Sequence, residues 1–309
     1  MRHINISNGL RMTNRTQRFI CIGTQKAGTS WLHWNLFFHP ETDIIEQKEF
    51  NYFWPVFDWR ACLQNRVDSG FESWNGALRT LIKSACYCNP RFNYRQYIQC
   101  LWPIRTPARY LRIITPRKGK KIAGDICPVY ANASIDRLRE YYSVLSQSKR
   151  MIILRNPIER AWSQFRMITV TRNLGDLDEE GMKREIDARC LAYSRYSEIL
   201  NTWDRAGLPL DVFFYEELCH DPAMFFKTIC EYLGITPLAD FPNSKVHEPI
   251  HVGRKMSMPD SIRAHLEQRL GDEIAFCSQR FPNRWTRDWA NPLADQQVRV
   301  ACAGAGTGE

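Results

Sequence analysis

The sequence predicts an α/β fold in which short buried strands alternate with helices. Three stretches carry that prediction. Phe19-Ile20-Cys21-Ile22 is an apolar run ended by Gly23, with Gly28, Thr29 and Ser30 a turn later and helical apolar spacing from Trp31 to Phe38. Met151 to Leu154 is a second run, followed by Asn156 as a helix cap, Pro157 at the first helical position and Glu159 three residues after the cap. Asp211 to Tyr215 is a third, leading through Asp221-Pro222 into a helix that ends near Leu233-Gly234. Strands and helices in alternation build a parallel sheet with helices packed against it.

Length and composition agree with that class. A chain of 309 residues builds one large α/β domain or two small ones. Hydrophobic residues at 44% and aromatics at 12% are globular values and exclude a disordered chain. Lys and Arg number 42 against 33 Asp and Glu, a net charge of +9. Such a surplus suits a polyanionic ligand (cofactor, acidic glycan or nucleic acid) and equally a basic surface that keeps the protein in solution. Eleven cysteines in a chain of this length do not make a disulfide scaffold. Cys86, Cys88 and Cys100 lack the second pair that a zinc site needs, so they read as buried thiols. Met1 to Gln17 is polar, without the apolar segment of a signal peptide, and no run approaches the ~20 apolar residues of a membrane span. The expectation is a soluble, intracellular, cytoplasmic protein.

The first strand–turn–helix is an anion site in the making. A helix N-terminus presents N–H groups without intrahelical partners and the positive end of the helix dipole. Lys26 sits inside the turn, and the Thr29 and Ser30 hydroxyls close it. The Walker A loop places lysine directly after its second glycine. Here Gly23 and Gly28 keep the Walker separation, but Thr29 holds the lysine position and Lys26 lies two residues before the glycine.

This G-x-x-K-x-G-T-[ST]-W arrangement resembles the 5′-phosphosulfate loop of sulfotransferases that use 3′-phosphoadenosine 5′-phosphosulfate (PAPS). Two further stretches resemble the same family, in its order. Arg155-Asn156-Pro157-x-Glu159-Arg160-x-x-Ser163 matches the segment that holds the 3′-phosphate, and Lys48-Glu49 followed by Tyr52-Phe53 matches the K-E-x-x-[FY]-F of glycan-modifying members. The resemblance spans roughly residues 18–290 and implies a single three-layer P-loop-like domain. A parallel sheet would be flanked by helices, with the donor at the carboxyl ends of its strands. It implies that Glu49 is the general base and Lys26 the catalytic cation. The donor would lie against Gly23, Gln25, Lys26, Ala27, Gly28, Thr29, Ser30 and Trp31, the last at adenine, and against Arg155 and Ser163. Arg254 and Lys255, a partial match to the basic loop of the family, would complete the phosphate cage. The implied activity is sulfonyl transfer from PAPS to an acceptor hydroxyl on a carbohydrate, lipid or small metabolite, with a glycan foremost. No metal and no nucleic acid are implied as partners. Each segment taken alone has a plainer reading. Lys48-Glu49 fits a surface ion pair, and Arg155 fits a salt bridge in a well-capped strand–helix unit.

The remaining elements follow in order. Asp43 to Ile45 is a short strand. Residues 54–118 show no single period and are dense in aromatics and arginine, as an acceptor-side insertion or as a helical insertion packed on the sheet. Lys121 to Asp125 is a strand leading into Ile126-Cys127-Pro128-Val129-Tyr130. The resemblance puts Asp125 and Tyr130, like Lys48, at the acceptor site, although Cys127 replaces the usual Ser or Thr. Asn132 or Ser134 caps a helix burying Ile135, Leu138, Tyr141, Tyr142 and Leu145. Arg172 to Gly181 is a polar loop and Ile186 to Trp203 one long amphipathic helix. Tyr215 to Leu218 recurs in the family as a structural stretch. His247-Glu248-Pro249-Ile250-His251 is formally H-E-x-x-H, but Pro249 and the bracketing loop residues argue against the helix that zinc binding at this spacing needs. Pro259 starts a last helix with Ile262, Leu266, Leu270, Ile274 and Phe281. Residues 1–17 form an N-terminal extension, and 291–309 a small, polar tail that reads as disordered.

Two rivals compete with the sulfotransferase reading. A P-loop nucleotide kinase is disfavoured by Thr29 at the Walker lysine position. A non-catalytic polyanion-binding protein would use the +9 surface but leaves the ordered Lys26, Glu49 and Arg155 stretches without a purpose.

Overall fold

Five short parallel strands hold the molecule together in a computed structural model that describes residues 17–44, 52, 106–238, 240–248, 250 and 256–290. They are β1 (Arg18–Cys21), β2 (Thr42–Ile44), β3 (Ile122–Ile126), β4 (Lys149–Leu154) and β5 (Asp211–Phe214). Their order across the sheet is β2-β3-β1-β4-β5, and every pairing is parallel. β1, the first in sequence, lies in the middle. Its residues pair with Ala123 to Ile126 on one side and with Lys149 to Met151 on the other.

Central position explains why the strands read as continuous apolar runs and not as alternation, since both faces are covered. Alternate residues of β1 and β4 enter two separate cores. Ile20, Ile22, Ile152 and Leu154 point into one, and Phe19, Cys21, Met151 and Ile153 into the other. The second core is closed by α1 (Thr29–Phe38) and by a helix at Pro222–Leu233. The first is closed by helices at Pro107–Ile113 (α2), Pro157–Thr171 (α5), Tyr196–Arg205 (α7) and Asp260–Arg280 (α10). Helix, sheet and helix make three layers, the architecture expected from sequence.

Most helix starts carry their cap in the sequence. Asn156 Oδ1 accepts from the Ile158 and Glu159 amides at the head of α5, and Asp221 Oδ1 from the Met224 amide at the head of α9 (Pro222–Leu233). α10 buries Ile262, Leu266, Leu270 and Ile274 as predicted, but its last buried position is Cys277, and Phe281 lies just past the helix as its C-cap. Two predicted helices are broken. The helix expected over 135–145 divides into α3 (Ile135–Glu140), capped by Ser134, and α4 (Tyr142–Leu145), with Tyr142 exposed and not buried. The helix expected over 186–203 is α6 (Glu179–Arg189), a tight turn at Ala192–Ser194, and α7. The cause is a buried guanidinium. Arg160 of α5 donates to the Cys190 carbonyl and to Ser194 Oγ, which draws that chain out of helical register.

The remaining helices are α8 (Tyr215–His220) and α11 (Arg284–Trp289). Lys48, Glu49, residues 54–105 of the expected insertion, Cys86, Cys88, Cys100, Arg254, Lys255 and the tail from 291 lie outside the described residues. Among those described, no helix is long and apolar enough to cross a membrane.

Candidate active site

The site begins where β1 runs out. Beyond Cys21 the chain keeps pairing with β4. Ile22 N donates to the Met151 carbonyl, Thr24 N to the Ile153 carbonyl and Ile153 N to the Gly23 carbonyl, all at 2.7–2.9 Å. That ladder carries the turn to the carboxyl edge of the sheet before it is released. Lys26 and Gly28 then take left-handed backbone conformations, φ 69° and 80°, and α1 starts at Thr29. Gly28 has no alternative. A Cβ there would stand 2.7 Å from Leu218 Cδ2 in addition to the φ penalty. The helix start carries no side-chain cap, and no acidic residue sits in its first turn. No first-turn carboxylate therefore offsets the positive end of its dipole.

The second junction lies on the neighbouring strand. Arg155 follows the end of β4, and Asn156 turns the chain into α5. Arg155 Nη1 donates to the Lys26 carbonyl at 3.0 Å, and its Cζ lies 4.6 Å from the centre of the Tyr215 ring. Two buried groups fix the backbone of the junction. Tyr196 OH donates to the Arg155 carbonyl at 2.7 Å, and Asn156 N donates to Glu216 Oε1 at 2.8 Å. Trp289 Nε1 donates to the same carboxylate oxygen, and burial pushes Glu216 up to about 7. Lys26 Nζ stands 3.9 Å from Met167 Sδ, one turn beyond Ser163 on the same face of α5, so the ammonium crosses toward the helix that carries Ser163.

The electrostatics favour an anion. Arg160 is fully buried, and desolvation brings it down to about 10, with Arg155 among the charges opposing it. Burial also lowers Arg166, and Arg155 again adds to the effect. Arg155 and Arg160 both donate to backbone carbonyls of the Lys26 turn, and Arg166 stands in the third turn of α5. A phosphate or sulfate would relieve their mutual repulsion. Arg166, Tyr215 and Glu216 did not emerge from sequence as site residues. Tyr215-Glu216 reads there as a structural stretch, and nothing in spacing shows that α8 brings both against Arg155.

The other expected site residues differ in burial. Asp125 and Tyr130 are 2% and 0% exposed and bonded to each other at 2.7 Å. Trp31 is 4% exposed and packs against Phe225 and Phe226 at 5.9 Å. The ring thus packs α1 against α9. Ala27 is fully buried and Thr29 nearly so, while Gln25, Lys26 and Ser30 are partly open. The Gln25 carbonyl accepts from Arg160 Nη1 at 3.4 Å. Ser163 is buried at 8% exposure. His247 and Glu248 lie in a turn and not on a helix, and no metal-binding cluster of His, Cys, Asp and Glu occurs among the described residues.

The sulfotransferase family model matches residues 18–240, which contain both junctions. The chain belongs to the sulfotransferase family. The sulfotransferase of Alicyclobacillus acidocaldarius is similar over 88% of this chain and 98% of its own, with 22% identity and a TM-score of 0.55. The sulfotransferase domain of the Synechococcus PCC 7002 olefin synthase matches 85% of this chain and 98% of its own, at 15% identity and a TM-score of 0.45. That of the curacin biosynthetic pathway matches 91% and 99%, at 16% identity and 0.42. No curated protein sequence matches. The P-loop-like α/β fold of sulfotransferases is thus the fold of this chain.

Proposed function

We propose that this sulfotransferase moves a sulfonyl group from PAPS to an acceptor hydroxyl on a carbohydrate, lipid or small metabolite. One observation carries the reading. The Lys26 loop and the Arg155 junction abut through the 3.0 Å bond between them, so a single nucleotide with phosphates at both ends of its ribose can span the two.

The donor set fits such a substrate. Lys26, the hydroxyls of Thr29 and Ser30 and the uncapped start of α1 are all donors, and no carboxylate stands in the first turn of α1 to repel a phosphosulfate. PAPS supplies the activated S–O bond and a phosphate leaving group. The chain's work is to place and charge-match it. Lys26 and the α1 amides stabilise charge that grows on the leaving phosphate oxygen. Arg155 and Ser163 take the 3′-phosphate, the group that tells PAPS from ATP. Glu49 accepts the acceptor's proton as oxygen attacks sulfur.

The test compares 3′-phosphoadenosine 5′-phosphate (PAP) with Mg-ATP by calorimetry and thermal shift, then follows radiolabelled PAPS into a cell extract. PAP binding with labelled product is expected. Preference for Mg-ATP would turn the reading into a nucleotide kinase, and salt-sensitive polyanion binding without PAPS turnover into a non-catalytic binder.

A further inference from the structure

Asp125, two aromatic hydroxyls and one distant backbone amide form a buried polar group behind the Lys26 loop. Asp125 Oδ2 accepts from Tyr130 OH at 2.7 Å and from Tyr110 OH at 3.0 Å. Tyr130 OH in turn accepts from the Tyr52 backbone N–H at 2.8 Å. Tyr52 OH exchanges hydrogen bonds with the Thr106 backbone, and its ring stacks on Tyr110 with centroids 5.0 Å apart. Tyr52, Tyr110, Asp125 and Tyr130 are all buried.

A buried carboxylate is costly unless its lone pairs are satisfied, so a chain that keeps one here gains specificity of position in exchange. Asp125 belongs to β3, whose next residue pairs with Cys21 of β1, and Pro128 touches the Gly23 turn. Tyr130 is therefore rigidly referred to the Lys26 loop. Tyr52 follows Glu49 by three residues, a reach of about 11 Å at full extension.

We propose that Asp125 and Tyr130 are positioning residues that hold the Tyr52 amide and so fix Tyr52, three residues after Glu49 in sequence, relative to the Lys26 loop. The proposal rests on Glu49 as the base in the reading above. It replaces the acceptor-contact role expected from sequence. Asp125 orients the Tyr130 hydroxyl by accepting its hydrogen bond, which leaves an oxygen lone pair to receive the Tyr52 N–H. Burial and the Asp125 charge raise both tyrosines well above their ordinary value, so the hydroxyls stay protonated donors throughout the working pH range.

Tyr130→Phe and Tyr110→Phe separate this role from plain stability. Each deletes one hydroxyl bonded to Asp125, but only the first removes the acceptor of the Tyr52 N–H. Three quantities are measured on the full chain: amide hydrogen exchange in the peptide containing Tyr52, affinity for PAP, and the initial rate of labelled transfer from saturating PAPS into one fixed cell extract. Tyr130→Phe is expected to speed exchange at Tyr52 and to lower the rate ten- to a hundredfold, the scale of a misplaced catalytic group, with PAP affinity within about twofold of wild type. Tyr110→Phe should lose comparable thermal stability yet keep its rate within about threefold. Equal rates in the two variants, or unchanged exchange at Tyr52, overturn the positioning role while the donor reading stands. Failure of the wild-type protein to bind PAP overturns both.

Discussion

Arg155 reaches across from β4 to donate to the Lys26 carbonyl at 3.0 Å while resting over the Tyr215 ring. The side chain thus braces the left-handed turn at Lys26 with one nitrogen.

Removing that brace should weaken nucleotide binding more than folding. Arg155→Ala is expected to lower PAP affinity ~10–100-fold, the scale of charge-assisted hydrogen bonds. Arg155→Lys restores the charge but not the fork and should recover only part of it. Calorimetric titration with PAP decides. A change below about threefold would take Arg155 away from the nucleotide.

Gly28→Ala should destabilise by two separable effects. Left-handed backbone costs an alanine ~1–2 kcal/mol, and the added Cβ meets Leu218 Cδ2 at 2.7 Å. Gly119→Ala shares a positive φ of 88° but has nothing within 4 Å, so it reports the first effect alone. The Gly28 variant should melt lower by scanning calorimetry, and the gap between the two is the clash.

Glu216 makes stability depend on pH with a definite sign. Its folded pKa of about 7 lies above the unfolded value of roughly 4.3. The folded protein therefore holds a proton that the unfolded chain has released. That contribution is fully present below the unfolded value and is lost as pH rises through about 7. Glu216→Gln stays neutral and can still accept from Asn156 N and Trp289 Nε1. Melting temperatures measured between pH 4.5 and 7.5 should fall less steeply for the variant; parallel curves would place the titration elsewhere.

Glu49→Gln should lower turnover by ~100-fold or more, the usual scale for a general base, with PAP affinity nearly intact. Lys26→Met should also cost ~100-fold or more in turnover by removing charge aimed at the leaving oxygen. Both are read from single-turnover transfer of label. Unchanged turnover in Glu49→Gln would remove that residue from the chemistry.

Both phosphate-type junctions were legible in the sequence because their determinants are local. An apolar run, a glycine obliged to a left-handed φ and a capping asparagine before proline act within a few residues of one another. Lys26, Thr29, Ser30 and Arg155 could be placed at those two turns from sequence for that reason. Arg160 was legible as part of a motif but not as the buried guanidinium that splits the helix expected over 186–203, since its partners at Cys190 and Ser194 are some thirty residues away.

What the sequence alone determined is the alternation of strands and helices and the chemistry of the two turns, each set by near-neighbour sterics and hydrogen bonding. Tertiary structure alone decided the strand order that places β1 between β3 and β4, the bond that joins Arg155 to Lys26, and the enclosure of Asp125 and Tyr130. Those depend on which apolar faces pack together over more than a hundred residues of chain. Spacing along a sequence does not record that choice, because many pairings bury similar area and differ in how well they satisfy buried polar groups.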